Sequence, residues 1–324
     1  MRRILSIDGG GIRGVFPAAY LARLEEDLDQ PLYRYFDLIA GTSTGGIIAI
    51  GLAMGFKAQE ILELYESRGP EIFSQQRKGL CGRVERKIKK MKWFTWGPKY
   101  NSDGLQSALA DVFEDRKIGD AKTRLMIPAW HREIGTVYIF KTAHHERLST
   151  DYKDFARDAA MATASAPTYF QEFITTRDVG LVDGGVWANN PTGIAVAEGI
   201  GTLGWPPSEI RVLSIGCLED VMEMRDAYGA ARLAPKLAGL FMAGQSHGSK
   251  GLAHILTGDV GGSRHKAIYR ISQHVPEKVF SLDDTSKIRE LKSRAFAQAR
   301  TDKPNLSEVF FFDTAEPFQP IHRS

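Results

Sequence analysis

Two segments near the amino terminus share one pattern, in which a short apolar run is followed by glycine and then by helical periodicity. Residues 3–7 (RILSI) form the first apolar run, and apolar positions recur at helical spacing over 15–28. Residues 35–40 (YFDLIA) form the second run, and an apolar helix is predicted over 46–54. Two successive strand–loop–helix units predict an α/β fold with a largely parallel sheet.

The same patterns continue further along the chain. An Asn-Pro pair at 190–191 supplies an N-cap acceptor and a proline at the first helical position, which predicts a helix start. We expect a core over residues 1–220 and a helical C-terminal elaboration over 221–324, packed on the same unit. Further strands are predicted at 124–130, 136–142, 179–182, 210–216 and 267–272, and helices at 154–163, 227–243 and 285–300.

Composition narrows the class of protein. With 324 residues, 43% of them hydrophobic and 25% charged, the chain is typical of globular proteins with a sizeable core. A net charge of +3 does not by itself indicate nucleic-acid binding. Cys81 and Cys217 form neither a disulfide framework nor a zinc spacing. No apolar run reaches the roughly 18 residues of a membrane span and no signal peptide is recognisable, so we expect a cytoplasmic protein.

The turn of the second unit, Gly41-Thr42-Ser43-Thr44-Gly45, fits the pattern G-x-S-x-G. In that pattern, small flanking residues let a strained strand-to-helix turn expose a serine hydroxyl. The alternative is a glycine-rich turn without chemistry. The preceding strand and the following helix favour a nucleophilic serine at position 43.

The loop of the first unit carries three consecutive glycines after Asp8. Its backbone N–H groups can converge at a helix N-terminus and bind an oxyanion. Gly9, Gly11 and Gly14 also satisfy G-x-G-x-x-G, so dinucleotide binding is a rival interpretation. That rival requires an acidic residue at the end of the second strand, whereas Asp37 lies near its start.

A nucleophilic serine needs a base. Asp183-Gly184-Gly185 follows a short apolar stretch and places an aspartate at a turn after a strand, although Asp-Gly is most often only a turn. The eight histidines are scattered, and none has the setting of a catalytic base.

Together these motifs resemble the patatin-like phospholipase family. The resemblance implies a three-layer fold, a mainly parallel central sheet flanked by helices, and hydrolysis of membrane phospholipid esters without a metal or cofactor. It implies that Ser43 is the nucleophile and that Asp183 accepts its proton. The segments that carry it are DGGGIRG at 8–14, GTSTG at 41–45, SAPTYF at 165–170, DGG at 183–185 and NNP at 189–191.

The resemblance also assigns roles in the glycine loop. The backbone of Gly9, Gly10 and Gly11 would hold the oxyanion. Arg13 would orient the loop or attract an anionic headgroup, and Asp8 would be structural.

Residues 77–92 contain eight lysines and arginines against the single acid Glu85, and two tryptophans and a phenylalanine follow by residue 96. A basic face, an apolar stripe and adjoining aromatics favour an interfacial helix on an anionic bilayer, so the segment 77–96 is a candidate for peripheral contact with the inner membrane. A lid over the active site or a solvated surface helix are the alternatives. Nucleic-acid binding is not expected, because no second basic element accompanies the segment.

The layout also resembles bacterial patatin-like effectors that cyclic nucleotides switch on in antiphage defence. That resemblance implies a cyclic nucleotide activator bound beyond about residue 220, with Arg264, Lys266 and Arg270 as candidates, although these could be ordinary surface charges. An oligomer is possible. A non-catalytic lipid or nucleotide sensor on the same fold is a further alternative, which the presence of both Ser43 and Asp183 disfavours.

Overall fold

The architecture is organised around a mixed β-sheet. A computed structural model describes residues 1–72, 98–221, 237–261, 265–276 and 279–323. The candidate membrane segment 77–96 and Arg264 lie outside these ranges. The strands are β1 (Arg2–Ile7), β2 (Leu38–Gly41), β3 (Arg124–His131), β4 (Thr136–Lys141), β5 (Phe173–Ile174), β6 (Gly180–Asp183), β7 (Ile210–Val221) and β8 (Ile268–Pro276).

The helices alternate with these strands over most of the chain. They are α1 (Val15–Glu25), α2 (Thr44–Met54), α3 (Ala58–Ile72), α4 (Asp103–Phe113), α5 (Ala156–Ala164), α6 (Gly185–Ala188), α7 (Thr192–Gly201), α8 (Leu237–Thr257) and α9 (Ile288–Phe310).

The strand order within the described residues is β5-β6-β3-β2-β1-β7-β8, with β4 paired to β3 outside this path. The central pairs β1/β2, β1/β7, β2/β3 and β7/β8 are parallel. The pairs that involve β4, β5 and β6 are antiparallel. The sheet is therefore parallel at its centre, as expected, and antiparallel at one side.

Both faces of the sheet are covered, which is why its central strands are rich in apolar residues on both faces instead of alternating with polar ones. Leu5 of β1 and Leu213 of β7 pack into a large core that also contains buried residues of α1, α2, α3 and α9. Ile4 of β1 and Val212 of β7 face the other way, into a smaller core with α7 and α8. The expected three-layer arrangement is thus observed.

Most predicted elements are present, and their boundaries differ for physical reasons. The second strand was expected at 35–40 but begins at Leu38, because a 3-10 turn at Leu32–Tyr35 follows Pro31, whose ring presets φ for such a turn. The helix expected at 285–300 continues to Phe310, which is fully buried. The C-terminal third also contributes β8 to the central sheet. The division of the chain at residue 220 remains a prediction.

Candidate active site

The turn that carries Ser43 has the strained geometry expected of a nucleophilic serine. Ser43 adopts φ 56° and ψ −129° at the N-cap of α2, a conformation that non-glycine residues rarely adopt. A Cβ atom on Gly41 would lie 2.2 Å from the carbonyl oxygen of Gly45, and one on Gly45 would lie 2.4 Å from that of Asp8. Only glycine fits at both flanks, so the G-x-S-x-G pattern follows from close backbone packing.

Ser43 and Asp183 are in direct contact. The Ser43 hydroxyl donates a hydrogen bond of 2.6 Å to Oδ2 of Asp183, although 140 residues separate them along the chain. The other carboxylate oxygen accepts a 2.6 Å hydrogen bond from the Gly185 N–H, two residues further on. Both side chains are buried. The carboxylate is therefore held in one orientation, with one oxygen directed at the serine.

The antiparallel course of β6 explains how the aspartate reaches this position. Ala40 at the end of β2 pairs with Met126 of β3, so β3 continues past β2 by several residues. The strand β6 pairs with this projecting part of β3 in the opposite direction, and Asp183 stands opposite Ala129. Asp183 thus arrives just beyond the carboxyl end of β2, where the turn holds Ser43.

Burial changes the chemistry of the carboxyl group. Removal from water raises the pKa of Asp183 from 3.8 to about 6, even though the hydrogen bonds from Ser43 and Gly185 act to lower it. At neutral pH the group is mainly ionised and can accept a proton. It is also a stronger base than an exposed aspartate, which suits general base chemistry near pH 7.

The glycine loop lies directly against the serine, because a Cβ atom on Gly9 would be 2.9 Å from the Cβ of Ser43. Two of its N–H groups already have partners: Gly9 donates to the carbonyl of Asn189 at 3.0 Å, and Gly10 donates to Oγ1 of Thr44 at 3.2 Å. No described residue accepts a hydrogen bond from the Gly11 N–H. Among the three glycines, Gly11 therefore offers the donor most readily available to a ligand.

Arg13 closes this loop and lies buried. Its N–H donates to the Gly10 carbonyl at 3.1 Å. Burial raises the pKa of the nearby Cys217 thiol to about 12, and the positive charge of Arg13 acts against that shift. The charge of Arg13 thus lies close enough to both Cys217 and Tyr169 to affect their pKa values.

Asp8, expected to be structural, makes an ion pair with Arg270 of β8. Burial disfavours the charge on the guanidinium, but the carboxylates of Asp8 and Glu219 outweigh burial and raise the pKa of Arg270. Arg270 is therefore not an ordinary surface charge, which was one of the two alternatives for it, and its guanidinium is occupied by the Asp8 carboxylate. Lys266, another candidate, places its ammonium 4.3 Å from the ring centre of Tyr269.

Sequence reasoning missed three residues that support the site. Thr163 accepts a 3.0 Å hydrogen bond from the Ser43 N–H and donates to the carbonyl of Pro128. Asn189 makes two hydrogen bonds to the backbone of Gly9: its carbonyl accepts from the Gly9 N–H, and its side-chain amide donates to the Gly9 carbonyl at 3.3 Å. Thr44 accepts from Gly10. Asn189 lies in the NNP segment, which was noted without a role, whereas no pattern marked Thr163.

Two rival interpretations find no support in the geometry. The Asp37 carboxylate accepts from the Arg3 N–H and from Arg2, at the opposite end of β1 from the glycine loop. One dinucleotide could not place its pyrophosphate on the loop and its ribose on Asp37. His144 is buried and bonded to Thr142 and Glu198. Within the described part of the chain, no histidine bonds to Ser43 or Asp183.

The fold and these motifs define a class of protein. The chain belongs to the patatin-like phospholipase family, whose profile matches residues 5–196. The family resemblance and the predicted fold class are thereby confirmed.

Known proteins of similar sequence include two bacterial enzymes. The chain is 37% identical to a cGAMP-activated phospholipase of Pseudomonas aeruginosa over 217 residues, which cover 66% of this chain and 62% of that protein. It is 35% identical to a protein of the same name from Vibrio cholerae over 230 residues, 67% of this chain and 64% of that protein. The chain thus spans less than two thirds of the length of these relatives.

Among solved structures, VipD from Legionella pneumophila aligns with a TM-score of 0.47 at 11% identity, covering 95% of this chain and 67% of that one. Within the described residues, no helix combines the length and apolar character needed to cross a membrane. No group of three or more His, Cys, Asp or Glu side chains in those ranges is arranged to hold a metal ion.

Proposed function

We propose that this protein is a serine acyl hydrolase that cleaves ester bonds of membrane phospholipids. The observation that carries the proposal is the 2.6 Å hydrogen bond from a strained, glycine-flanked serine to a buried aspartate. Membership of the family supports the lipid substrate, and two relatives named as phospholipases support the ester bond.

The reaction follows from the arrangement of the dyad. Ser43 Oγ attacks the ester carbonyl carbon as Asp183 takes the hydroxyl proton, and the carbonyl oxygen becomes an oxyanion. Asp183 then gives the proton to the departing alcohol, which leaves an acyl group on Ser43. A water molecule attacks this acyl group, Asp183 takes one of its protons, and the fatty acid departs as the proton returns to Ser43.

The oxyanion forms beside the glycine loop. The Gly11 N–H is available to it, and the Gly10 N–H could exchange its long 3.2 Å bond to Thr44 for the developing charge. A preorganised donor of this kind is worth roughly 3 kcal/mol to the transition state. Because an aspartate is a modest base, the loop has to supply a large share of the acceleration.

The proposal is tested with a soluble short-chain ester and with phospholipid vesicles. Ser43→Ala should lower kcat/KM by at least about a thousandfold, and Asp183→Asn by about a hundredfold or more, because each removes one partner of the dyad. Matched controls are Thr123→Ala and Asp158→Asn, since both residues are buried and hydrogen-bonded away from the dyad, Thr123 to the carbonyl of Phe36 and Asp158 to Thr176. Activity that survives either dyad substitution would remove that residue from its proposed role.

We further infer that a cyclic dinucleotide activates the enzyme, on the strength of the two bacterial relatives named as cGAMP-activated. Rates of vesicle hydrolysis should rise when cGAMP is added and stay at the basal level with its linear counterpart. Equal rates across a panel of cyclic dinucleotides would contradict the inference and leave the hydrolase proposal intact. Peripheral membrane contact is measured in the same assay by sedimentation of the protein with the vesicles.

A further inference from the structure

The glycine loop is held in place by a residue from the far end of the chain, beyond the segment that defines the family. Arg270 of β8 makes a bidentate ion pair with the Asp8 carboxylate: Nη1 donates to Oδ1 at 2.9 Å, and Nη2 donates to Oδ2 at 2.6 Å. The same two nitrogens donate to Ser214 at 2.9 Å and to Glu219 at 2.7 Å. The Arg270 side chain is 11% exposed, and these four hydrogen bonds hold its guanidinium in place.

The neighbouring strand is shaped around this contact. The pairing of β7 with β8 shifts register between Ile215 and Leu218. Within that irregular stretch, a Cβ atom on Gly216 would lie 2.4 Å from Nη2 of Arg270, so glycine leaves the space that the guanidinium occupies. Cys217 follows and packs directly against Gly10 of the loop, because a Cβ atom on Gly10 would lie 2.4 Å from the Cys217 sulfur.

A buried ion pair is weak evidence for a role in stability, since desolvation of two charges offsets much of their attraction. Its geometry is the more informative property. Asp8 immediately precedes Gly9, and its own N–H is already bound to the Ile215 carbonyl at 3.0 Å. The ion pair with Arg270 fixes the Asp8 side chain as well. Both the backbone and the side chain of the residue that precedes Gly9 are therefore held in place.

We propose that Arg270 is a positioning residue that sets the orientation of the Gly9–Gly11 loop for oxyanion binding. This inference rests on the proposed hydrolase function. A displacement of about 1 Å in a catalytic group can lower a rate about a hundredfold, so loss of the bidentate contact should be visible in kcat.

The first test compares Arg270→Lys with Arg3→Lys in the soluble ester assay. Arg3 is a matched control, because it is buried and bonded to the carbonyls of Phe310 and Asp313, at the opposite end of β1 from Asp8. We expect Arg270→Lys to lower kcat tenfold to about a hundredfold with little change in KM, and Arg3→Lys to retain kcat. An equal loss in both, after correction for the folded fraction, would overturn the proposal.

A second variant changes the position of the guanidinium without removing its charge. Gly216→Ala places a methyl group 2.4 Å from Nη2, too close for the guanidinium to keep its position, and should lower kcat in the same way. In a double-mutant cycle, Gly216→Ala and Arg270→Lys should be non-additive, because both act through one contact. Additive losses would show that Gly216→Ala lowers kcat independently of Arg270 and would count against the proposed role of the Arg270–Asp8 contact.

Hydrogen exchange supplies a readout that does not depend on activity. Peptides that cover residues 5–16 should exchange faster in Arg270→Lys than in the parent, whereas Arg3→Lys should leave the loop amides protected. Unchanged exchange in Arg270→Lys would refute the role of Arg270 in holding the loop, even if the parent hydrolyses esters. Faster exchange in Arg270→Lys, together with no esterase activity in the parent, would support the role of Arg270 in holding the loop and refute the hydrolase.

Discussion

Replacement of Asp183 by asparagine should lower the rate of hydrolysis by about a hundredfold or more and yet make the fold more stable at neutral pH. Asparagine resembles the protonated aspartate in size and charge. Its oxygen can still accept from the Gly185 N–H, and its NH₂ group faces the Ser43 oxygen. The substitution therefore removes a buried negative charge while both neighbours keep a hydrogen-bond partner.

The magnitude follows from the pKa of Asp183. Its rise from 3.8 to about 6 on folding corresponds to about 3 kcal/mol. The native state holds its proton more tightly than the unfolded state, so this group stabilises the fold fully only below the unfolded pKa of 3.8. That contribution is lost as pH rises through about 6. The asparagine of the variant never carries the charge and does not incur the loss.

The assay is denaturant unfolding of the parent and Asp183→Asn at several pH values. The stability advantage of the variant should be about 3 kcal/mol near pH 7.5 and about half as large near pH 5. Glu198→Gln is a control of opposite sign, because hydrogen bonds from His144 and Lys141, with the charge of Lys141, overcome burial and lower the pKa of Glu198 to about 2. That variant should be less stable than the parent at neutral pH. An Asp183→Asn protein that is no more stable than the parent near pH 7.5, or whose advantage is independent of pH, would refute this account of the buried carboxylate.

Three further outcomes are expected. The kcat/KM of the parent on a soluble ester should decrease as the pH is lowered, with an apparent pKa of about 6, because protonated Asp183 cannot accept the serine proton. A pH–rate profile that is flat down to about pH 5 would contradict this. Gly45→Ala should lose esterase activity and unfold at lower denaturant concentration, since its Cβ would lie 2.4 Å from the Asp8 carbonyl, whereas Gly201→Ala, with no atom nearby, should behave as the parent. Thr163→Val should cost about 1–3 kcal/mol of unfolding free energy, because the buried Ser43 N–H loses its acceptor, and an unchanged unfolding midpoint would argue against that bond.

Local chemistry made several features predictable. The strand–loop–helix units around the glycine loop and Ser43 depend on apolar runs and glycine spacing, which are properties of neighbouring residues. The observed turn at Ser43 has the strain that its flanking glycines indicated. The pairing of Ser43 with Asp183 was proposed from a family resemblance and from the absence of a matched histidine, and the two side chains are indeed in contact.

Contacts between distant segments could not be predicted in this way. The antiparallel direction of β6 brings Asp183 to Ser43, and nothing in the Val-Asp-Gly-Gly stretch indicates that direction. Arg270 looked like a surface charge or a nucleotide ligand. It is instead buried against Asp8, 262 residues away along the chain.

The amino-acid sequence by itself determined the strained serine turn, the glycine loop and the apolar strands of the central sheet, because each depends on residues a few positions apart. Only the tertiary structure decided by what route Asp183 reaches the serine, how far burial raises the pKa of Asp183, and which side chain anchors the loop. Those properties arise from the exclusion of water and from packing between segments that are remote in sequence, and no local pattern encodes them.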